Sequence, residues 1–195
     1  MDNEKKKSQI IAAIKESIAV KQAIRDGLTD TIVTASEWVA TTLRRGNKLL
    51  LFGNGGSAAD AQHIAAEFIG RFERERRALP AIALTTDTSI LTALTNDYSG
   101  EVIFARQVEA LAQPGDLAIA YSTSGNSPNV LAGISAARAK GLRVIGLTGE
   151  GGGKMAELCD LTLRVPSRRT SRIQEAHITI SHAICEVVEA DLFVE

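Results

Sequence analysis

His63 and Glu67 stand four residues apart in FGNGGSAADAQHIAAEF, Phe52 to Phe68, directly behind a run of glycines. Positions i and i+4 share one face of a helix, so an imidazole and a carboxylate project together toward whatever the glycine run binds. A second set of candidates lies far along the chain in RIQEAHITISHAICEVVE, where Glu175 and His182 are seven apart and nearly eclipsed on a helix, with Gln174 on the adjacent flank. An acid and a base of these types can together move a proton between adjacent carbons of a phosphosugar, the step common to aldose–ketose isomerases. Plainer readings stand beside this one. A His–Glu pair at this spacing also makes a surface salt bridge, and His182, among Ile178, Ile180, Ile184 and Cys185, also suits a core histidine held by a carbonyl. Ala58, Ala59, Ala61, Ile64, Ala65, Ala66 and Phe68 make the first helix nearly apolar, so it is expected to be buried and its polar groups to need partners.

Two loops could supply the ligand. Gly53, Gly55 and Gly56 let the backbone approach a ligand closely, and Ser57 can cap the following helix or donate its hydroxyl. This is not a Walker loop, because the Gly-Lys-Ser/Thr ending is missing, nor G-x-G-x-x-G, because Ala58 stands at the third glycine. The second loop, STSGNSPN, sets the hydroxyls of Ser122, Thr123, Ser124 and Ser127 around Gly125, at the start of a helix led by Pro128. Hydroxyls, free backbone N–H groups and a positive helix end favour an anion of phosphate size. With no lysine in either loop, a phosphomonoester suits the site better than a nucleoside triphosphate.

The elements that carry these residues follow from hydrophobic period. Ile10, Ile11, Ile14, Ile18, then Ile32, Val33, Val39 and Leu43 recur at helical spacing, which predicts two helices over 8–45 broken at Asp26-Gly27. Short apolar runs at 48–53, 81–84, 117–121, 143–147 and 161–165 read as buried strands. Helical stretches near 57–70, 102–112 and 127–140 alternate with them, and a last amphipathic helix covers about 170–192. That alternation predicts an α/β fold of βαβ units, a three-layer αβα sandwich around a parallel sheet, with ligands collecting at the carboxyl ends of the strands.

Length and composition bound the function. The 195 residues suit one domain, 1–195, with 1–46 as a helical segment at its start; 45% are apolar, 23% are charged, and the net charge of −1 advertises neither nucleic acid nor membrane. The start, MDNEKKKSQ, is charged and runs into an amphipathic rather than continuously apolar stretch, so no signal peptide and no membrane span are expected. Cys159 and Cys185 read as ordinary buried thiols.

Taken together, GNGGSAADAQHIAAEFIGRF, STSGNSPN, LTGEGGG and SRIQEAHITISH resemble, in order and spacing, the bacterial phosphoheptose isomerases of the sugar isomerase (SIS) fold, over essentially the whole chain. The resemblance implies a flavodoxin-like five-stranded parallel sheet, a cytoplasmic homotetramer packed through the N-terminal helices, and conversion of sedoheptulose 7-phosphate to D-glycero-D-manno-heptose 7-phosphate for lipopolysaccharide or related heptose precursors. It implies Glu67 as general base and His182 as acid. It also implies one Zn²⁺ per subunit on His63, Glu67, Gln174 and His182, of which the glutamine is an unusual zinc ligand. Phosphate contacts would fall on Ser122, Ser124 and Ser127, with Asn54, Gly55, Gly56, Ser57, Asn96, Asp97, Thr123 and Gln174 shaping the sugar pocket, several of them across subunit boundaries. The same motifs are similar to a paralogue, the DnaA initiator-associating protein, a tetrameric partner of the replication initiator. RFERERRALPAIALTTD and SRRTSRIQE lean that way, and Ser171 stands where many of the isomerases have an aspartate. Glu67 and His182, which that paralogue replaces, favour the enzyme. The stretch Arg71 to Arg77 is expected to be mostly a solvated charged turn.

Overall fold

The computed structural model describes residues 1–193. The five apolar runs form strands β1 (Leu49–Gly53), β2 (Ala81–Ala83), β3 (Leu117–Ser122), β4 (Arg143–Thr148) and β5 (Leu161–Arg164). All pair in parallel, in the order β2-β1-β3-β4-β5, with Gly53 opposite Tyr121 and Ser122 opposite Thr148 at the carboxyl ends. β1 and β3 are buried along their whole length, which is why they read as unbroken apolar runs. The chain steps from β1 outward to β2 and then returns to the other side as β3, so the order reverses between β1 and β3. At that switch point the loops leaving the two strands diverge and leave a crevice.

Helices α1 (Asn3–Arg44), α2 (Gly56–Ile69) and α7 (Thr170–Leu192) cover one face of the sheet; α4 (Ala105–Leu111), α5 (Pro128–Ala139) and α6 (Met155–Leu158) lie on the other. The two-residue period of a strand divides the core between them. Leu49, Leu51, Ile119 and Tyr121 pack with Ile64, Phe68, Ile180 and Ile184, while Leu50, Phe52, Ala118 and Ala120 pack with Phe104, Val108, Val130 and Ile134. This is the expected three-layer sandwich with its flavodoxin-like sheet.

The break at Asp26-Gly27 does not occur, and α1 is one helix. Val20, Ile24, Ala35, Val39 and Leu43 are buried on one stripe that runs through the glycine, and Leu28 and Ile32 pack beside it. Continuous packing outweighs the roughly 1 kcal/mol that an interior glycine costs. A helix not expected from the sequence, α3 (Thr88–Asp97), is capped by Asp87, whose side chain accepts from the Ile90 N–H at 2.9 Å. Its threonine-rich sequence has little helix propensity, and none of its residues is buried. Both cysteines are free; Cys185 is buried and Cys159 only half-buried, and burial pushes both thiols up to about 12, which keeps them protonated at neutral pH. Among the described residues no helix is long and apolar enough to cross a membrane.

Candidate active site

The two loops meet at the switch point. Asn54 and Asn129 exchange amide hydrogen bonds at 2.8 and 2.9 Å, stitching the glycine loop to the serine loop. Gly55, not Ser57, occupies the cap position of α2; Ser57 lies inside the first turn, buried, and its N–H donates to the Asn54 carbonyl at 3.0 Å. A Cβ at Gly56 would stand 2.3 Å from Gln174 Nε2, so the Gln174 amide reaches across from α7 to lie on this loop.

In the serine loop, Ser122 Oγ and Ser127 Oγ are 3.0 Å apart, and Ser124 Oγ accepts from the Asn126 N–H at 3.1 Å. Ser122 is buried, Thr123 half-buried and Ser124 exposed. Pro128 opens α5 without an N–H, the Val130 N–H donates to Asn129 Oδ1 at 2.9 Å and the Leu131 N–H to the Ser127 carbonyl at 3.0 Å, so the first turn keeps the Asn129 N–H for a ligand. Gly125 holds φ +66°, and a Cβ there would fall 2.0 Å from the Gly152 carbonyl oxygen. The GEGGG stretch therefore backs the serine loop directly, with the Met155 N–H donating to the Gly125 carbonyl at 2.9 Å and the Lys154 N–H to Asn126 Oδ1 at 3.1 Å.

The proton-bearing residues converge one step away, on the seam between α2 and α7. His63 Nε2 is 3.0 Å from Glu67 Oε1 and 3.2 Å from His182 Nε2, and the His63 and His182 rings meet edge to face with centroids 4.9 Å apart. The seam is open to solvent on this side, contrary to the burial expected for α2: the His63 side chain is 48% exposed and that of Glu67 23%. His182 is half-buried rather than a core histidine.

The three donor atoms lie within 4.8 Å of one another and could hold a cation. Bonds of about 2.0–2.1 Å in a tetrahedron separate neighbouring ligand atoms by roughly 3.3 Å, close to the two contacts above, so two imidazoles and a carboxylate so placed fit a divalent metal. Gln174 sits eight residues before His182, roughly 12 Å along the axis of α7. Its amide lies beside Gly56, at the loop end of the seam, while His182 lies beside His63.

Other candidates fall outside this cluster. Glu175 pairs with Arg172 at 2.9 Å, and Arg172 also donates to the Ala13 carbonyl, so this carboxylate belongs to the α1–α7 contact and does not face His182. Asn96 Nδ2 donates to Asp97 Oδ1 at 2.8 Å at the exposed end of α3, and no hydrogen bond joins either side chain to the seam. Ser171 is exposed in the first turn of α7.

Several residues around the site escaped the sequence reading. Asp60, one turn before His63, is half-buried; burial pushes its carboxyl up to about 6, against the pull of His63, and its Oδ2 is buried without a hydrogen-bond partner. The core histidine of α7 is His177: fully buried, with neither ring nitrogen in a hydrogen bond, it has its pKa lowered by burial to about 4, the Thr148 backbone pulling weakly the other way. Beside it Tyr121 Oη and Ser181 Oγ share a buried hydrogen bond at 3.1 Å. The charged stretch 71–77 is exposed in most of its length but not at Arg76, whose side chain is 2% exposed and paired with Glu189 at 2.9 Å. A signal existed for this pair, since Glu189 stands four residues after Cys185 in the buried stripe of α7.

Residues 14–149 match the SIS domain. A phosphoheptose isomerase of Roseiflexus sp. (strain RS-1) is 58% identical over 186 residues, covering 95% of this chain and 94% of that protein. One from Aquifex aeolicus is 59% identical over 175 residues, covering 90% and 92%. The solved structure of a phosphoheptose isomerase from Neisseria gonorrhoeae superposes with a TM-score of 0.90 at 45% identity, covering 94% of this chain and 98% of that one.

Proposed function

The chain belongs to the phosphoheptose isomerases of the SIS-domain family, and on that premise we propose that it interconverts sedoheptulose 7-phosphate and D-glycero-D-manno-heptose 7-phosphate through an enediol-like intermediate. The observation that carries the reading is the meeting of His63, Glu67 and His182, at 3.0 and 3.2 Å, on two helices beside two phosphate-sized loops. The relatives named above carry the isomerase name, and the initiator-binding alternative gains no support from them.

The phosphate binds at the start of α5, on the Asn129 N–H and the hydroxyls of Ser122, Ser124 and Ser127, with its charge favoured by the helix end. Asn54, Gly55, Gly56, Ser57, Thr123 and Gln174 orient the sugar, with Asn96 and Asp97 completing the pocket. Glu67 takes the proton from C1 of the ketose while His182 gives a proton to the C2 oxygen, which leaves the enediol. The O1 proton then returns to His182, and Glu67, whose partly exposed carboxyl exchanges its proton with solvent, delivers a proton to C2, giving the aldehyde at C1 and a hydroxyl at C2, with both residues back in their starting states.

His63, Glu67 and His182 would hold one Zn²⁺ per subunit, and Gln174, whose amide lies at the loop end of the seam, would have to swing toward them to serve as a further donor. When bound, the ion supplies Lewis-acid polarisation of the substrate oxygens. The exposed apolar residues Ile10, Ile11, Ile14 and Ile18 of α1 support packing of this segment in a homotetramer. The single domain 1–195 works in the cytoplasm on a small sugar phosphate, without nucleic acid or membrane, in heptose supply for lipopolysaccharide.

Purified protein mixed with sedoheptulose 7-phosphate should yield the aldose, read by NMR, with added zinc or after chelation. No conversion under either condition would sink the proposal.

A further inference from the structure

The carbonyls that end α2 are not left to solvent. Arg76 Nη1 donates to the carbonyls of Phe68 at 2.8 Å and Gly70 at 3.0 Å, and its Nη2 to that of Glu67 at 2.7 Å, so a buried guanidinium closes the helix end at the residue assigned as base. The partner of Arg76 is Glu189, on α7. The Glu189 carboxylate accepts from three successive backbone N–H groups, Phe72 at 3.1 Å, Glu73 at 2.7 Å and Arg74 at 2.8 Å, and from Arg76 Nε at 2.9 Å. Burial would push that carboxyl up, but the N–H groups of Glu73, Arg74 and Phe72 and the guanidinium hold it below the usual carboxylate range. The loop so gathered lays the Phe72 ring against His182, with centroids 5.5 Å apart. Glu189 itself lies seven residues beyond His182 and thus on the same face of α7.

From these contacts we infer that Arg76 and Glu189 form a positioning pair for the isomerisation, setting Glu67 and His182 against each other by fastening the end of α2 and the loop 70–77 to α7. The inference rests on the roles proposed for Glu67 and His182. A buried ion pair is seldom worth more to stability than apolar residues of the same volume. What it supplies here is direction: one carboxylate fixes the Phe72 backbone, and so the ring that covers His182, while its guanidinium partner fixes the Glu67 carbonyl. Neither residue touches substrate, and both act through the two that do.

The test is steady-state kinetics of Glu189→Gln and Phe72→Leu at a temperature where both are folded, beside Val108→Ala, a core truncation in α4 that lowers the melting temperature without touching the seam. Glu189→Gln should lower kcat about tenfold or more, leave KM within about threefold and move a limb of the pH–rate profile by about half a unit or more. Phe72→Leu should lower kcat about fivefold, and the double variant should lose no more than the larger single loss, because both act through one loop. Val108→Ala should keep the wild-type kcat and profile. Should Glu189→Gln not fold, Phe72→Leu decides: reduced kcat with a moved profile supports the pair, and wild-type kinetics overturns it. In folded Glu189→Gln, a kcat within about twofold of wild type, an unmoved profile, or losses that multiply in the double variant would overturn it. Glu67→Gln assayed alongside keeps the two ideas apart, since turnover surviving there removes the premise instead.

Discussion

The crevice between β1 and β3 and the seam between α2 and α7 are built in opposite ways. Within the serine loop of the crevice the side-chain contacts are made by groups close in sequence, Ser122 with Ser127, Ser124 with Asn126, and Asn129 with the Val130 N–H, and longer-range bonds such as Asn54 with Asn129 tie that loop to its neighbours. At the seam the working atoms come from distant parts of the chain, His63 from α2 and His182 from α7, and their support is just as distant, Arg76 on Glu189. Such a difference suits the two tasks. An anion of fixed shape can be held by a locally folded backbone, whereas a proton shuttle needs two groups aligned to a fraction of an ångström, which long-range packing must supply.

Damage to the seam and damage to the crevice should therefore be separable. The largest loss should come at the seam: Glu67→Gln removes the proton acceptor and should lower kcat about a thousandfold, roughly 4 kcal/mol, with KM little changed, as steady-state assays would reveal. Next is the junction between the regions, where His177 lies under β4. Its pKa is about 4 in the folded protein against an ordinary 6.5, so the unfolded chain takes up the proton first as pH falls. The associated stability is fully present above pH 6.5 and is lost toward pH 4, about 3 kcal/mol in all, which urea melts would register; His177→Leu should flatten that slope. In the crevice, Gly125→Ala must push against the Gly152 carbonyl and should raise KM about thirtyfold, about 2 kcal/mol, with a smaller effect on kcat. Smallest is Asn54→Ala, which unties the two loops and should raise KM about fivefold, about 1 kcal/mol, by the same assay. Equal kcat and KM effects throughout would erase the distinction between the regions.

The same difference explains what could be read in advance. Glycines and serines at strand ends announce turns and caps through local backbone chemistry, and the strands announce themselves as apolar runs, so the sandwich and both loops were legible. His63 and Glu67 were legible as a pair because one helix carries them. What could not be read was tertiary in origin. The continuity of α1 through Gly27 depends on a stripe packed against α7, and the assignment of the core role to His177 rather than His182 depends on which face of α7 meets β4. Arg76, one of four arginines between 71 and 77, is distinguished from the others only by Glu189, whose place in an apolar stripe was the clue.

The central claim is that the α2–α7 seam moves the proton. Its most direct test is to follow sedoheptulose 7-phosphate by NMR in D₂O with wild-type protein and with Glu67→Gln shown to bind the sugar phosphate. The account predicts that wild type forms the aldose with solvent deuterium at C2, and that Glu67→Gln binds but converts at least about a hundredfold more slowly. Conversion by Glu67→Gln at the wild-type rate would contradict it.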